Sequence, residues 1–140
     1  MGKMAFDLSG KTAVVTGGGG VLCSGFSKTL AEAGAKVAVC DLRLEAAEKV
    51  AAEIRESGGE AMAVEMNVLD KASVEAACAK ILEKYGAVDI LLNGAGGNNP
   101  KGTTTRDNLT PEEVEALDED GAIEGVKTFF DLDPEGISFV

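Results

Sequence analysis

The stretch that decides the fold is VVTGGGGVLCSG, residues Val14 to Gly25. A short apolar run ends in four consecutive glycines, and a helical pattern begins directly after them. A glycine-rich turn between a strand and a helix lets backbone N–H groups and the helix N-terminus approach a phosphate. The stretch therefore predicts a loop that binds the pyrophosphate of a dinucleotide.

Short apolar strands alternate with amphipathic helices on both sides of this loop. Strands are predicted at Thr12–Thr16, Lys36–Cys40, Ala61–Met66 and Val88–Leu92. They begin roughly 25 residues apart, which is the spacing of repeated strand-helix units. This rhythm predicts an α/β fold with a doubly wound parallel sheet.

The segments between the strands carry apolar residues at helical spacing. The predicted core stripes are Leu22, Phe26, Leu30 and Ala33 in the first helix, Ala47, Val50, Ala51 and Ile54 in the second, and Val74, Ala77, Cys78, Ile81 and Leu82 in the third. Asp70 is expected to cap the third helix and Gly86 to end it. Cys40 and Cys78 are then expected to be small core residues.

Composition excludes several classes of function. The chain of 140 residues has 13 basic and 24 acidic residues, a net charge of -11, so nucleic acid and anionic membranes are not expected as partners. Neither a long apolar span nor a secretory signal is recognisable, which predicts a soluble, cytoplasmic protein. Three scattered cysteines and no histidine predict neither a disulfide framework nor a metal site.

Polar residues follow the predicted strands where a nucleotide would lie. Asp41 ends the second strand, where a carboxylate can accept hydrogen bonds from both hydroxyls of an adenosine ribose. The same carboxylate would repel a 2'-phosphate, so NAD is expected and NADP is disfavoured. Arg43, which could soften this preference, is expected to be solvated. Asn67 and Val68 follow the third strand, and the small residues from Asn93 to Gly97 follow the fourth.

Together, GKTAVVTGGGGVLCSG, Asp41, MNVLD and DILLNGAGG resemble the short-chain dehydrogenase/reductase family from Phe6 to about Gly97. Within that family, TGGGGVL and GAGGNNPK look most like the sugar-acid oxidoreductases of the mannonate/fructuronate type. The resemblance implies a Rossmann-like fold and NAD-dependent hydride transfer to or from a small sugar acid or polyol-like substrate. It also implies a homo-oligomer.

The resemblance implies roles for specific residues. The cofactor contacts carried over from the family pattern are Thr16, Gly17, Gly20, Val21, Leu22, Asp41, Asn67, Val68, Asn93, Ala95 and Gly96. Thr16 and Gly17 would start the loop, Gly20 would approach the pyrophosphate, and Asp41 would hold the ribose. Asn93 has a simpler alternative role, which is to cap the strand end with its amide.

Cys23 departs from the family pattern, because it stands where the last glycine of the loop is expected. That glycine lets the helix pack closely on the strand. A cysteine there is expected either to be tolerated sterically, with some weakening of cofactor binding, or to be a reactive thiol at a helix N-terminus.

The second departure concerns catalysis. The family uses a tyrosine with a lysine four residues later, together with a serine, after the fourth strand. Tyr85 is the single tyrosine, and its +4 position is Asp89, a carboxylate that would raise the pKa of the phenol. We therefore expect no catalytic residue in this chain and no activity from its 140 residues alone.

These observations predict one incomplete NAD-binding domain over residues 1–140, truncated after the fourth strand, with 98–140 as an irregular acidic segment. A non-catalytic nucleotide-binding or regulatory module is the alternative. A methyltransferase-like domain would also have a glycine loop and a strand-end acid, but Thr16 and the NGAGG segment favour NAD over S-adenosylmethionine.

Overall fold

The computed structural model describes residues 6–97, 104, 110–115, 125, 127 and 132. The chain divides into two units, Met1–Ala95 and Gly96–Val140. The first unit contains the whole sheet and three helices. That residues 1–140 act as one domain stays a prediction.

The first unit alternates strands and helices. Its elements are β1 (Thr12–Thr16), α1 (Val21–Glu32), β2 (Lys36–Asp41), α2 (Leu44–Glu56), β3 (Glu60–Glu65), α3 (Lys71–Tyr85) and β4 (Ile90–Asn93). All strand pairs are parallel, and the sheet order is β3-β2-β1-β4. The predicted doubly wound α/β sheet is confirmed, with strand ends within two residues of those predicted.

The two faces of the sheet have separate cores, because the side chains of each strand alternate in direction. On one face, Val15, Val37 and Val39 pack with buried residues of α1 and α2. On the other face, Val14 and Val64 belong to a cluster with Ala77 and Ile81 of α3. Helices therefore cover both faces, as a doubly wound sheet requires.

The predicted core stripe of α1 is wrong in its first half, whereas Ala33 is buried and Leu30 packs against the core. The buried residues of α1 are Cys23, Ser27 and Ala31, whereas Leu22 and Phe26 are 75% and 49% exposed. The glycine turn determines which face of α1 meets the sheet, and that face carries small residues that allow close packing. Hydrophobicity alone predicted the adjacent face of α1, which carries Leu22 and Phe26.

The helix predictions for α2 and α3 are confirmed in most positions. All four predicted core residues of α2 are buried. In α3, Ala77 and Ile81 are buried, but Cys78 and Leu82 are exposed, so the prediction of a core Cys78 is wrong. Cys78 instead lines an open apolar groove of about 400 Å³ between α3 and the β1–β4 side of the sheet.

Two predicted helix boundaries in α3 are confirmed. The Asp70 side chain accepts a hydrogen bond from the Ala72 N–H (3.0 Å), and Gly86 ends the helix in the left-handed conformation with φ 80°. A carboxylate at this position satisfies one of the free N–H groups of the first turn.

In the second unit the structure describes one short helix, α4 (Pro111–Glu115). Residues 116–124, which continue the acidic segment, lie outside the described part of the chain. Most of the acidic segment and of the final VKTFFDLDPEGISFV stretch also lies outside it. Among the described residues, no helix is both long and apolar enough to cross a membrane.

Candidate nucleotide-binding site

The candidate site lies where the strand order reverses. β1 is paired with β2 on one side and with β4 on the other, and Thr16 is in register with both Cys40 and Asn93. The carboxyl ends of β1, β2 and β4 therefore lie side by side at this edge of the sheet. Open α/β sheets bind their ligands in the crevice outside the carboxyl ends of the strands.

The glycine loop between β1 and α1 is tightly folded. Gly17 has φ 64°, and the Gly20 N–H donates to the Gly17 carbonyl (3.0 Å). The Gly18 N–H donates to the Cys40 carbonyl (2.8 Å), which attaches the loop to the end of β2. A Cβ at Gly18 would lie 2.6 Å from Val39 Cγ1, so the loop conformation requires glycine there.

Asp41 joins the end of β2 to the glycine loop. Its Oδ2 accepts a hydrogen bond from the Gly19 N–H (3.0 Å), and its Oδ1 accepts one from the Arg43 N–H (3.0 Å). The carboxylate is therefore held at the sheet edge beside the loop. The predicted ribose acceptor and the predicted phosphate loop form one hydrogen-bonded unit.

A second acidic residue stands next to Asp41. Glu65, the last residue of β3, is paired in register with Asp41 and is exposed. The two carboxylates add negative charge at the position where the outer part of a nucleotide would lie. Sequence reasoning missed Glu65, because its proximity to Asp41 depends on the strand register.

Thr16 connects the glycine loop with the segment after β4. The Thr16 Oγ1 accepts hydrogen bonds from the N–H groups of Gly94 and Ala95, both at 3.1 Å. A Cβ at Gly17 would lie 2.7 Å from the Gly94 carbonyl oxygen and 2.9 Å from the Ala95 nitrogen. The two loops therefore touch through backbone atoms, and glycine at 17 permits this approach.

The N-terminus of α1 opens toward the same edge. Its N-cap is Gly20, no side chain caps it, and its first turn contains no acidic residue. Such a terminus favours an anionic group, because its N–H groups and the helix dipole both carry partial positive charge. Val21 and Leu22, two predicted cofactor contacts, are 93% and 75% exposed at this terminus.

Asn67 and Val68 lie directly after β3. The Asn67 Oδ1 accepts a hydrogen bond from the Leu69 N–H (3.1 Å), and its backbone N–H donates to Ser73 Oγ (2.9 Å). These bonds shape the turn into α3, so the Asn67 side chain has a structural role whatever it contacts in a complex. Val68 is 44% exposed.

The structure thus brings most of the predicted cofactor residues to one edge of the first unit. Thr16, Gly17, Gly20 and Asp41 surround the turn after β1, and Ala95 is hydrogen-bonded to Thr16. Gly96 begins the second unit, so its predicted contact with a cofactor stays a prediction. Gly19 and Gly94 were not singled out from the sequence, although the glycine run and the NGAGG segment contain them.

Cys23 is buried in the core between α1 and the sheet, with 7% of its surface exposed. This placement favours the interpretation that the cysteine is accommodated sterically. A reactive thiol needs access to solvent or to a partner thiol, and that access is not available at this position.

Tyr85 lies at the end of α3, away from the glycine loop. Its hydroxyl is buried and has no hydrogen-bond partner among the described residues. Burial, with a smaller effect of the Glu60 carboxylate, raises the pKa of Tyr85 to about 12. The prediction that Tyr85 is a poor acid/base group agrees with this shift, but Asp89 is not its cause.

Asp89 has a different role. It accepts hydrogen bonds from the Thr12 N–H (2.9 Å) and from Lys11 Nζ (3.2 Å), and these bonds lower the pKa of its carboxyl. The contact ties the segment before β4 to the start of β1. Among the described residues, no group of three or more cysteine or acidic side chains is arranged to hold a metal ion.

Comparison with known proteins identifies similar chains. A family model described as short chain dehydrogenase matches residues 11–132. An uncharacterised oxidoreductase of Haemophilus influenzae is 48% identical over 134 residues, covering 96% of this chain and 44% of the relative. The uncharacterised oxidoreductase UxuB of Bacillus subtilis is 47% identical over 130 residues, covering 93% and 43%. The chain spans less than half the length of these relatives.

The solved structures similar to this chain are also oxidoreductases. A candidate D-mannonate oxidoreductase from Haemophilus influenzae, solved with bound NAD, superposes with a TM-score of 0.79 at 44% identity, covering 96% of this chain and 45% of that one. A hydroxysteroid dehydrogenase from Escherichia coli has a TM-score of 0.65 at 28% identity, covering 95% and 50%. An NAD+-bound xylitol dehydrogenase has a TM-score of 0.63 at 34% identity, covering 65% and 35%.

Proposed function

The chain belongs to the short-chain dehydrogenase family, and from that premise we propose that it is the NAD-binding portion of an oxidoreductase. The reaction would transfer hydride between the nicotinamide and a sugar acid or polyol-like substrate. The observation that carries the proposal is the hydrogen bond from the Gly19 N–H to Asp41 Oδ2, at the point where the strand order reverses. It joins a loop of the phosphate-binding type to a carboxylate that would bind the adenosine ribose.

The residues of this edge divide into two roles. The uncapped N-terminus of α1 would bind the pyrophosphate through the N–H groups of its first turn. The turn Gly17–Gly20 would position that terminus, since the N–H groups of Gly18, Gly19 and Gly20 donate to acceptors within the protein. Asp41 would accept hydrogen bonds from the adenosine ribose. Asp41 and Glu65 would together repel a 2'-phosphate, which supports NAD over NADP.

The sugar-acid or polyol substrate rests on similarity. The candidate D-mannonate oxidoreductase is 44% identical over 96% of this chain, whereas the hydroxysteroid dehydrogenase is 28% identical over 95%. The higher identity over the same share of the chain favours a sugar-acid substrate. In the family such a substrate is bound and protonated by side chains after the fourth strand, so this chain alone supplies the cofactor part of the site.

We assign no catalytic residue to the chain. Its single tyrosine has a buried hydroxyl and a pKa raised to about 12, which is unsuited to proton transfer near neutral pH. The second candidate function is a nucleotide-binding module without catalysis, for which the residues at the sheet edge would suffice. Turnover separates the two: an oxidoreductase that contains this chain forms NADH from NAD+ and D-mannonate or xylitol, and a binding module does not.

The proposed cofactor is tested by titrating the protein with NADH and following the emission of the bound nicotinamide. NADPH and S-adenosylmethionine are the matched controls. We expect NADH to bind at least ten times more tightly than NADPH and S-adenosylmethionine not to displace it. Equal affinity for NADH and NADPH would overturn the assigned preference, and displacement by S-adenosylmethionine would overturn the dehydrogenase assignment.

A further inference from the structure

The segment after β4 packs against α1 through Gly94 and Cys23. A Cβ placed on Gly94 would overlap the Cys23 Sγ and would also lie 2.9 Å from the Thr16 carbonyl oxygen. Cys23 is 7% exposed, so its sulfur is enclosed by neighbouring atoms and has little room to turn away. The sulfur therefore takes up the space that a side chain at position 94 would need.

The same peptide is held from the other side by the glycine loop. The N–H groups of Gly94 and Ala95 both donate to Thr16 Oγ1, at 3.1 Å. The Gly94 carbonyl oxygen and the Ala95 nitrogen would lie only 2.7 and 2.9 Å from a Cβ on Gly17. The Gly94–Ala95 peptide is thus enclosed by Gly17, Thr16 and Cys23.

We infer that Cys23 and Gly94 are a size-matched pair, and that Cys23 is a positioning residue which presses the Gly94–Ala95 peptide against the glycine loop of the NAD site. Cysteine at position 23, which is larger than the glycine expected there, is accommodated because residue 94 has no side chain. The inference rests on the proposed function for its effect on NAD, but the packing pair itself does not depend on it.

The pair explains why a cysteine can stand where a glycine is expected to let the helix approach the strand. The sulfur does not separate α1 from the sheet, because it fills space beside a residue without a side chain. Removing the sulfur would leave a void beside the Gly94 peptide and would loosen the loop. Cys23→Gly is therefore expected to bind NADH no better than the parent.

A double-mutant cycle tests the pair. Cys23→Ala, Gly94→Ala and the double variant are compared with the parent for urea unfolding and for NADH affinity, with Gly25→Ala as the control. Gly25 lies in α1, and a Cβ there meets no atom within 4 Å. We expect Gly94→Ala to lower NADH affinity at least tenfold and to shift the urea midpoint downward.

The double variant is expected to recover part of both losses, because alanine at 23 removes the sulfur that a Cβ at 94 would overlap. The recovery is partial, since the Thr16 carbonyl oxygen remains close to the new Cβ. Losses in the double variant that equal the sum of the two single losses would overturn the inference. Gly25→Ala should leave NADH affinity unchanged.

Thiol counting gives an independent readout. In the parent, Cys78 is exposed while Cys23 and Cys40 are buried, so a thiol reagent should modify one cysteine rapidly. Gly94→Ala should release a second reactive thiol, identified as Cys23 by peptide mapping. No change in reactivity together with an unchanged urea midpoint would show that the two residues do not compete for space.

Failure of the parent to bind NADH and failure of Gly94→Ala to fold have separate consequences. If the parent does not bind NADH but the urea midpoints are coupled, the pair stands and the proposed cofactor fails. If Gly94→Ala does not fold, Cys23→Leu places bulk against Gly94 from the other side and should weaken NADH binding at least tenfold. Wild-type affinity in Cys23→Leu would overturn the inference.

Discussion

The Oδ2 atom of Asp41 lies 3.0 Å from the backbone nitrogen of Gly19, so a hydrogen bond joins the end of β2 to the glycine loop. A carboxylate that accepts a backbone N–H organises the loop as well as offering acceptors to a ligand. Asp41 therefore has two roles, and a substitution there affects both the free protein and the complex.

Replacing Asp41 with alanine should weaken NADH binding by roughly 10- to 100-fold, since hydrogen bonds to a charged group contribute about 1.5–3 kcal/mol. The preference for NADH over NADPH should also shrink. Glu45→Ala is the matched control, because Glu45 is an exposed acid in the first turn of α2. It removes the same charge and should change affinity less than about twofold.

Calorimetric titration of parent and variants measures these affinities, and urea unfolding of each free protein shows that the variants are folded. Equal affinity of the parent and Asp41→Ala would refute the ribose role. An equal loss in Glu45→Ala would mean that net charge, and not the position of Asp41, controls binding.

Thr16→Val should destabilise the protein by about 1–3 kcal/mol. Valine has the shape of threonine but lacks the Oγ1 that accepts the N–H groups of Gly94 and Ala95, which leaves two partly buried donors unpaired. Thr16→Ser retains the oxygen and should lose less stability. Urea unfolding measures both, and a serine variant less stable than the valine variant would contradict the assigned hydrogen bonds.

Two glycines with open surroundings should respond in opposite directions to alanine. Gly25 lies within α1, and Gly25→Ala should stabilise the protein by about 0.5–1 kcal/mol, since alanine favours the helix. Gly86 ends α3 with φ 80°, and Gly86→Ala should destabilise it by about 1 kcal/mol. Thermal unfolding of the two variants measures these changes. A shift of the unfolding temperature in the same direction in both variants would contradict the assigned backbone conformations.

Stability should fall as the pH rises above about 9. Burial raises the pKa of Cys40 to about 12 from 9.0, and burial followed by Glu60 raises that of Tyr85 to about 12 from 10.0. Below pH 9 both groups are neutral in the folded and unfolded chain. Above it the unfolded chain loses protons that the folded chain retains, so unfolding becomes easier until both states are deprotonated.

The expected slope for Cys40 is about 0.7 kcal/mol per pH unit at pH 9, where half of the unfolded chains have lost the proton, and it approaches about 1.4 kcal/mol per unit above pH 10. Urea unfolding at pH 8, 9 and 10 measures it. Cys40→Ala should be less stable at pH 8 because it leaves a small void, but its stability should fall less steeply up to pH 10. An unchanged slope in Cys40→Ala would exclude Cys40 as the source.

Local patterns were sufficient to predict much of the fold. The alternation of short apolar runs with helical stripes identified all four strands of the first unit and helices α1 to α3, and the capping of α3 by Asp70 and its end at Gly86 were predictable from residue type. These features depend on residues close in sequence. The carboxyl-edge position of Asp41 also followed, because it comes directly after a predicted strand.

Features that depend on packing were not predictable in this way. The sequence pattern chose Leu22 and Phe26 as the core side of α1, whereas the helix buries Cys23 and Ser27. The pattern also placed Cys78 in the core, but Cys78 faces an open groove. Periodicity gives the width of an apolar stripe, but the connecting turns determine which side of it meets the sheet.

By itself, the sequence determined the succession of strands and helices along the chain, the glycine loop after β1, and the acid at the end of β2. Only the tertiary structure decided that Gly19 donates to Asp41 and that Cys23 packs against Gly94. The physical reason is distance along the chain. Contacts between residues far apart in sequence are set by strand order and register, and these arise from the packing of the whole sheet.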